Sequence, residues 1–144
     1  MLLLAAALAS CPAARAVEMQ ADLHLDTPTQ LYRKKVGLDA KGLEAGIDQL
    51  RAGGTNLAVM VLWPPRDAKW EAHTETLLGI LEKEDARLDA VTLARTPAEA
   101  RGVAAAGGVA TVYALEGAHG IDTTGVEGLR ALHARGLALL GLTW

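Results

Sequence analysis

Three times in this chain an amphipathic stretch closes on glycine and a short apolar run follows. Arg51-Ala52-Gly53-Gly54 precedes residues 56–63, Ala105-Ala106-Gly107-Gly108 precedes 109–115, and His133-Ala134-Arg135-Gly136 precedes 137–143. Glycine accepts the left-handed backbone that ends a helix, so each signal reads as a helix stop feeding a strand. An earlier apolar run at 19–25 and a weaker one at 88–93 extend the alternation. Strands separated by helices must run parallel, because a helix returns the chain to the end of the sheet where it started.

The helix starts are equally legible. Thr96-Pro97-Ala98-Glu99 sets an N-cap hydroxyl, a proline at the first helical position and a capping-box glutamate in order, and Thr124-Gly125-Val126-Glu127 repeats the capping-box spacing. Residues 74–87 put Leu77, Leu78 and Leu81 on one face and Glu75, Glu82, Lys83 and Asp85 largely away from it, the pattern of a surface helix with one buried stripe. Trp63-Pro64-Pro65-Arg66-Asp67 forces a loop after the second long strand, since proline has no amide to give a ladder. This order fits an open doubly wound sheet or a β/α barrel. Neither GxGxxG nor a P-loop is present, which removes support for nucleotide binding.

A chain of 144 residues, 51% hydrophobic and 22% charged, is expected to form one globular unit from residue 17 onward. A net charge of −3 without a long basic stretch argues against a nucleic-acid partner. The densest basic run, Arg33-Lys34-Lys35, reads as a solvated loop, with an anion contact as the lesser alternative. Residues 1–16 read as an export segment: the apolar run from Met1 to Cys11 is too short to span a bilayer and suits a secretory core. Two exits are visible, a lipoprotein-type box at Leu8-Ala9-Ser10-Cys11 and a small-residue cleavage site at Ala14-Arg15-Ala16. The expected location is therefore exported, either periplasmic or anchored to a membrane surface through a lipid on Cys11. Cys11 is the only cysteine, so an internal disulfide or thiolate cluster is excluded and any metal must use nitrogen and oxygen donors.

Such donors stand where strands finish. His24 and Asp26 lie at i and i+2 in Asp22-Leu23-His24-Leu25-Asp26, a spacing that turns both side chains to one face of a strand, and Glu116 follows a later apolar run. One imidazole and two carboxylates suit zinc or another divalent transition metal and leave room for a water. The period of two also puts Asp22 on the His24 face one pleat deeper, where a hydrogen-bonding role behind the ligands is expected. His119 is expected to orient a ligand or touch substrate, whereas His73 and His133 fall on helices as ordinary surface or packing residues. Trp63 and Trp144 are core or pocket-lining candidates. Chemistry gathered at the C-terminal ends of strands favours the barrel over the open sheet.

The ordered set Asp22-Leu23-His24-Leu25-Asp26-Thr27-Pro28, Leu50 to Gly54, Glu116-Gly117-Ala118-His119-Gly120-Ile121-Asp122, Leu129 to Gly136 and Leu142-Thr143-Trp144 resembles the membrane dipeptidase family, the renal-dipeptidase-like zinc peptidases of family M19. The resemblance implies a (β/α)8 barrel holding two zinc ions and hydrolysing dipeptides with a metal-activated water. It implies His24 and Asp26 as ligands of the first zinc, Glu116 as the bridging and catalytic carboxylate, and Trp144 at a position that meets substrate in some members. Two further histidines and an aspartate of the family pattern have no counterpart here. A complete barrel needs about 250 residues, so the expectation is roughly the first half of one, truncated and inactive alone, with an unpaired last strand open to association such as a homodimer. The alternatives are a non-catalytic remnant with residual metal binding, or another amidohydrolase-type metal-dependent barrel. The latter more often opens with His-x-His, which Asp26 does not match.

Overall fold

The computed structural model describes residues 18–143. Residues 1–16, expected to be an export segment and containing Cys11, and Trp144 lie outside the described residues. Five parallel strands form one sheet, and the sequence expectations place four of them to within two residues at each end: β1 (Ala21–Leu25), β2 (Leu57–Leu62), β4 (Val109–Glu116) and β5 (Leu137–Gly141). The weak run yields only the three-residue β3 (Val91–Leu93).

β1 pairs with β2 and β2 with β4, while β4 gives its other edge to two partners in turn. Its first half, Val109 to Thr111, takes β3, and its second half, Tyr113 to Glu116, takes β5. With the short β3 set aside, β1, β2, β4 and β5 are sequential parallel neighbours, the arrangement of the first four strands of a β/α barrel. The protein is therefore a partial β/α barrel.

Register separates the two faces. Ala58, Met60 and Leu62 lie opposite Thr111, Tyr113 and Leu115 on one side, and Leu57, Val59 and Val61 lie opposite Ala110, Val112 and Ala114 on the other. The first face is the core proper: Met60, Leu62, Tyr113 and Leu115 are buried against Leu31 of α1 (Thr27–Lys34), Leu50 of α2 (Ile47–Ala52), and Leu77, Leu78 and Leu81 of α3 (Trp70–Arg87). Each such leucine withdrawn from water contributes about 1.5–3 kcal/mol before entropy is charged against it. The second face carries a smaller cluster of Val59, Val61, Val112 and Ala114. Its lower end is closed by α4 (Pro97–Ala105), whose Ala100 and Val103 meet Leu57 and Ala110.

The caps follow the sequence where local chemistry decides. Thr96 and Glu99 form the full capping box, Glu99 N donating to Thr96 Oγ1 at 3.2 Å and Thr96 N to Glu99 Oε2 at 3.2 Å. Gly54, Gly107 and Gly136 all take positive φ after their helices. The second capping box does not form. The helix α5 (Ile121–Ala134) already begins upstream, Gly125 interrupts it at φ 66° and ψ −170°, and Thr124 Oγ1 donates back to Gly120 O at 3.4 Å. The basic run is also not a loop: Arg33 and Lys34 complete α1 and Lys35 is its left-handed C-cap. Among the described residues no helix is long and apolar enough to cross a membrane.

Candidate metal centre

His24 is the penultimate residue of β1, Asp26 is the N-cap residue of α1, and Glu116 ends β4. Glu116 continues the alternation of Ala110, Val112 and Ala114, so it lies on the second face of the sheet at the C-terminal end. The three side chains converge there. His24 Nε2 lies 3.4 Å from Glu116 Oε2 and 3.8 Å from Asp26 Oδ1, and one donor atom from each residue lies within 4.8 Å of the others. Donors at about 2.1 Å from a tetrahedral zinc stand about 3.4 Å apart, so the His24–Glu116 separation matches a cation's coordination edge, the His24–Asp26 separation is somewhat wider, and both are at or beyond the upper end of ordinary hydrogen bonds. Asp26 makes no capping bond to the helix it begins, which leaves both its oxygens to the site. His24 and Asp26 are exposed and Glu116 is half-buried. The donor set, one nitrogen and two carboxylates, fits a borderline divalent cation.

The face argument for Asp22 needs correction. Asp22 pairs with Ala58 and Leu25 with Met60, so three steps on β1 run against two on β2 and the period of two is broken between them. Asp22 instead turns its carboxylate forward along the chain, Oδ1 accepting the amide of His24 at 3.1 Å. That bond holds the backbone of the residue that carries the imidazole.

A second set of contacts fixes the segment after Glu116. Gly117 N donates to Gly141 O at 3.0 Å, tying the strand end to β5. Trp70, buried at the start of α3, donates Nε1–H to Gly117 O at 3.3 Å and presents its ring edge to His119 at 6.1 Å between centroids. His119 Nε2 meets Pro65 O at 3.2 Å, and since a carbonyl can only accept, Nε2 carries the proton. His119 thus links the loops after β2 and β4, and it lines an open cleft of about 460 Å³ with Arg66, Trp70 and Thr123, outside the His24, Asp26 and Glu116 cluster. Two glycines make this possible: Gly117 sits at φ 89°, and a Cβ on Gly120 would fall 2.1 Å from the Trp70 ring. Trp70 was not singled out by sequence patterning; the glycine three residues after Gly117 was the available signal, since only glycine admits an indole so close.

His73 stacks edge-on against Tyr32 at 4.8 Å, and His133 Nδ1 meets Leu137 O at 2.8 Å, both packing roles as expected. Trp63 is half-buried beside a small cavity shared with Thr29 and Arg33.

A family model described as membrane dipeptidase, peptidase family M19, matches residues 14–144. Among solved structures, the metallopeptidase dipeptidase AC of family M19 superposes with a TM-score of 0.77 at 23% identity, over 89% of this chain and 43% of its own. A metallopeptidase from Rhodobacter sphaeroides, crystallised with a phosphinate mimic of the dipeptide L-Ala-D-Ala, gives 0.75 at 22% identity, over 88% of this chain and 45% of its own. An amidohydrolase from Pseudomonas aeruginosa gives 0.61 at 17% identity, covering 81% and 36%. These likenesses establish the fold, and the chain spans less than half the length of each of the three. No curated protein matches it in sequence.

Proposed function

The chain belongs to the membrane dipeptidase family, peptidase family M19, and we propose that it is the N-terminal half of an exported, zinc-dependent dipeptidase that is inactive without the rest of its barrel. The observation that carries this reading is the convergence of His24, Asp26 and Glu116, from three different element ends, at donor spacing on one face of the sheet. A cation held there supplies a Lewis acid that makes water nucleophilic at neutral pH and polarises an amide carbonyl.

The chain's own residues do the rest. His24 offers Nε2, which requires the proton on Nδ1, and Asp22 fixes the backbone from which the ring projects. Asp26 offers a carboxylate that its helix does not use. Glu116 turns one oxygen toward His24 and would share in holding the cation, as the bridging carboxylate of the proposed site. His119 and Trp70 hold the loop behind Glu116, which makes His119 a positioning residue rather than a ligand. Dipeptides are the substrate class by family and by the phosphinate dipeptide mimic bound to the Rhodobacter sphaeroides relative. Residues 1–16 direct export, and Cys11 is the proposed point of lipid attachment.

A protein that joins this chain to the segment completing the barrel is expected to hydrolyse L-Ala-D-Ala or L-Ala-L-Ala in a zinc-dependent way. Glu116→Gln should remove most of that activity and much of the metal; unchanged zinc content refutes the bridging role. The 144-residue chain by itself is expected to show negligible turnover, and robust zinc-dependent hydrolysis by it would overturn the requirement for a second half.

A further inference from the structure

We propose that the last turn of α1 and the facing side of α3 form a docking surface for an anionic lipid bilayer. Leu31, Tyr32, Lys35 and Val36 at the end of α1 and Ile80, Lys83 and the Arg87-paired Glu84 from α3 border a shallow cavity of about 300 Å³. Tyr32 and Val36 are exposed, at 41% and 37%, so an aromatic ring and a branched aliphatic face water between two ammonium groups. Arg33 and Lys34 flank them, Lys34 Nζ reaching only a backbone carbonyl, Gly42 O, at 3.4 Å.

The nearest acids offset these cations only in part. Glu82 shares Arg135 with Glu75, Asp85 accepts from Tyr113 on β4, and Asp39 and Glu84 share the single Arg87, which leaves that trio one net negative charge against Arg33, Lys34, Lys35 and Lys83. Among the described residues Arg33, Lys35 and Lys83 have no ion-pair partner. In a chain of net charge −3 this leaves a local surplus of positive charge around apolar side chains, the combination that partitions into a headgroup layer: cations meet lipid phosphates and the ring and valine enter the acyl boundary.

Topology orients the surface. Helices that follow parallel strands run back down the sheet, so Lys35 and Lys83 lie toward the end opposite His24, Asp26 and Glu116. The polypeptide also enters β1 at that lower end, at Ala21. Docking there leaves the candidate metal centre facing away from the bilayer, open to soluble substrate. The feature does not depend on the dipeptidase reading.

The test is co-sedimentation of the 144-residue chain with vesicles of phosphatidylcholine containing about a third phosphatidylglycerol, against pure phosphatidylcholine. Binding is expected to the anionic vesicles, to be lost in high salt, and to fall about 25-fold in Lys35→Gln/Lys83→Gln, at roughly fivefold per cation. Lys69→Gln/Arg101→Gln removes the same charge away from the patch and is expected to change binding less than threefold. Tyr32→Ala should weaken it without altering the salt dependence. Equal binding to both vesicle types, an equal loss in the two double variants, or no binding to the anionic vesicles overturns the proposal. Free phosphate competing at millimolar concentration would identify an ion site instead and likewise overturn it.

Discussion

Gly120→Ala isolates the contact that holds the loop behind Glu116. The backbone there, φ −98° and ψ −3°, is one that alanine adopts without strain, so the substitution is decided by space alone. A Cβ would lie 2.1, 2.2 and 2.7 Å from Cδ2, Cε3 and Cγ of Trp70, whose ring is 4% exposed and cannot swing into solvent. Overpacking of this kind costs about 1–3 kcal/mol, and the entropic benefit of replacing glycine, about 0.4–1 kcal/mol, offsets only part of it. The net expectation is a loss of about 1–2 kcal/mol, or roughly 4–8 °C in Tm for a domain of this size. Gly79→Ala and Gly102→Ala provide the contrast, because both are helical positions with nothing within 4 Å of the new carbon; each should raise stability by about 0.5–1 kcal/mol. Urea denaturation in the presence of a chelator measures all three, and a double-mutant cycle with Trp70→Leu should return a coupling above about 0.5 kcal/mol. If Gly120→Ala is as stabilising as Gly102→Ala, or the cycle shows no coupling, the indole does not pack against Gly120 and the proposed support for Glu116 is lost.

Two other substitutions test the frame. Glu84 is buried and accepts the Leu38 amide at 2.7 Å and Arg87 Nε at 2.9 Å, so Glu84→Gln sets an NH2 against donors and should cost about 2–4 kcal/mol, while Glu127→Gln, in an exposed pair with Arg130, should cost under about 0.5 kcal/mol by the same denaturation assay. Burial pushes the Asp85 carboxyl above its ordinary value, and the hydrogen bonds from Tyr113 and Thr111 only partly oppose this. A raised folded value means its contribution is fully present below the unfolded value of 3.8 and is lost as pH rises through the folded one. The stability of the parent relative to Asp85→Asn should therefore decline from acid toward neutral pH in metal-free buffer. A flat difference, or one that grows with pH, contradicts that sign.

Strand positions and most helix ends could be read in advance because they depend on local chemistry. The glycines at 54, 107 and 136 and the Thr96–Glu99 box act within a few residues of chain. What could not be read depends on partners distant in sequence. The irregularity between Asp22 and Leu25 exists only in the pairing with β2, so the period of two misplaced Asp22 while still bringing His24 to the right face. Alanine-rich α4 gives no strong stripe to say which side of the sheet it covers, and it closes the end of the face opposite the main core. Thr124 and Glu127 have capping-box spacing, but Gly120 lets the helix start sooner under Trp70. In the candidate site, the grouping of His24, Asp26 and Glu116 was legible from their types and positions, whereas the clamp of Trp70, His119 and Pro65 that sets the loop behind them needed the fold.

Zinc titration of the chelator-stripped 144-residue chain, followed by calorimetry, addresses the central claim most directly. The account predicts one equivalent bound with protons released, at least tenfold weaker binding in each of His24→Ala, Asp26→Ala and Glu116→Ala, and unchanged binding in His73→Ala. No saturable binding by the parent chain, or binding indifferent to those three substitutions, would contradict it.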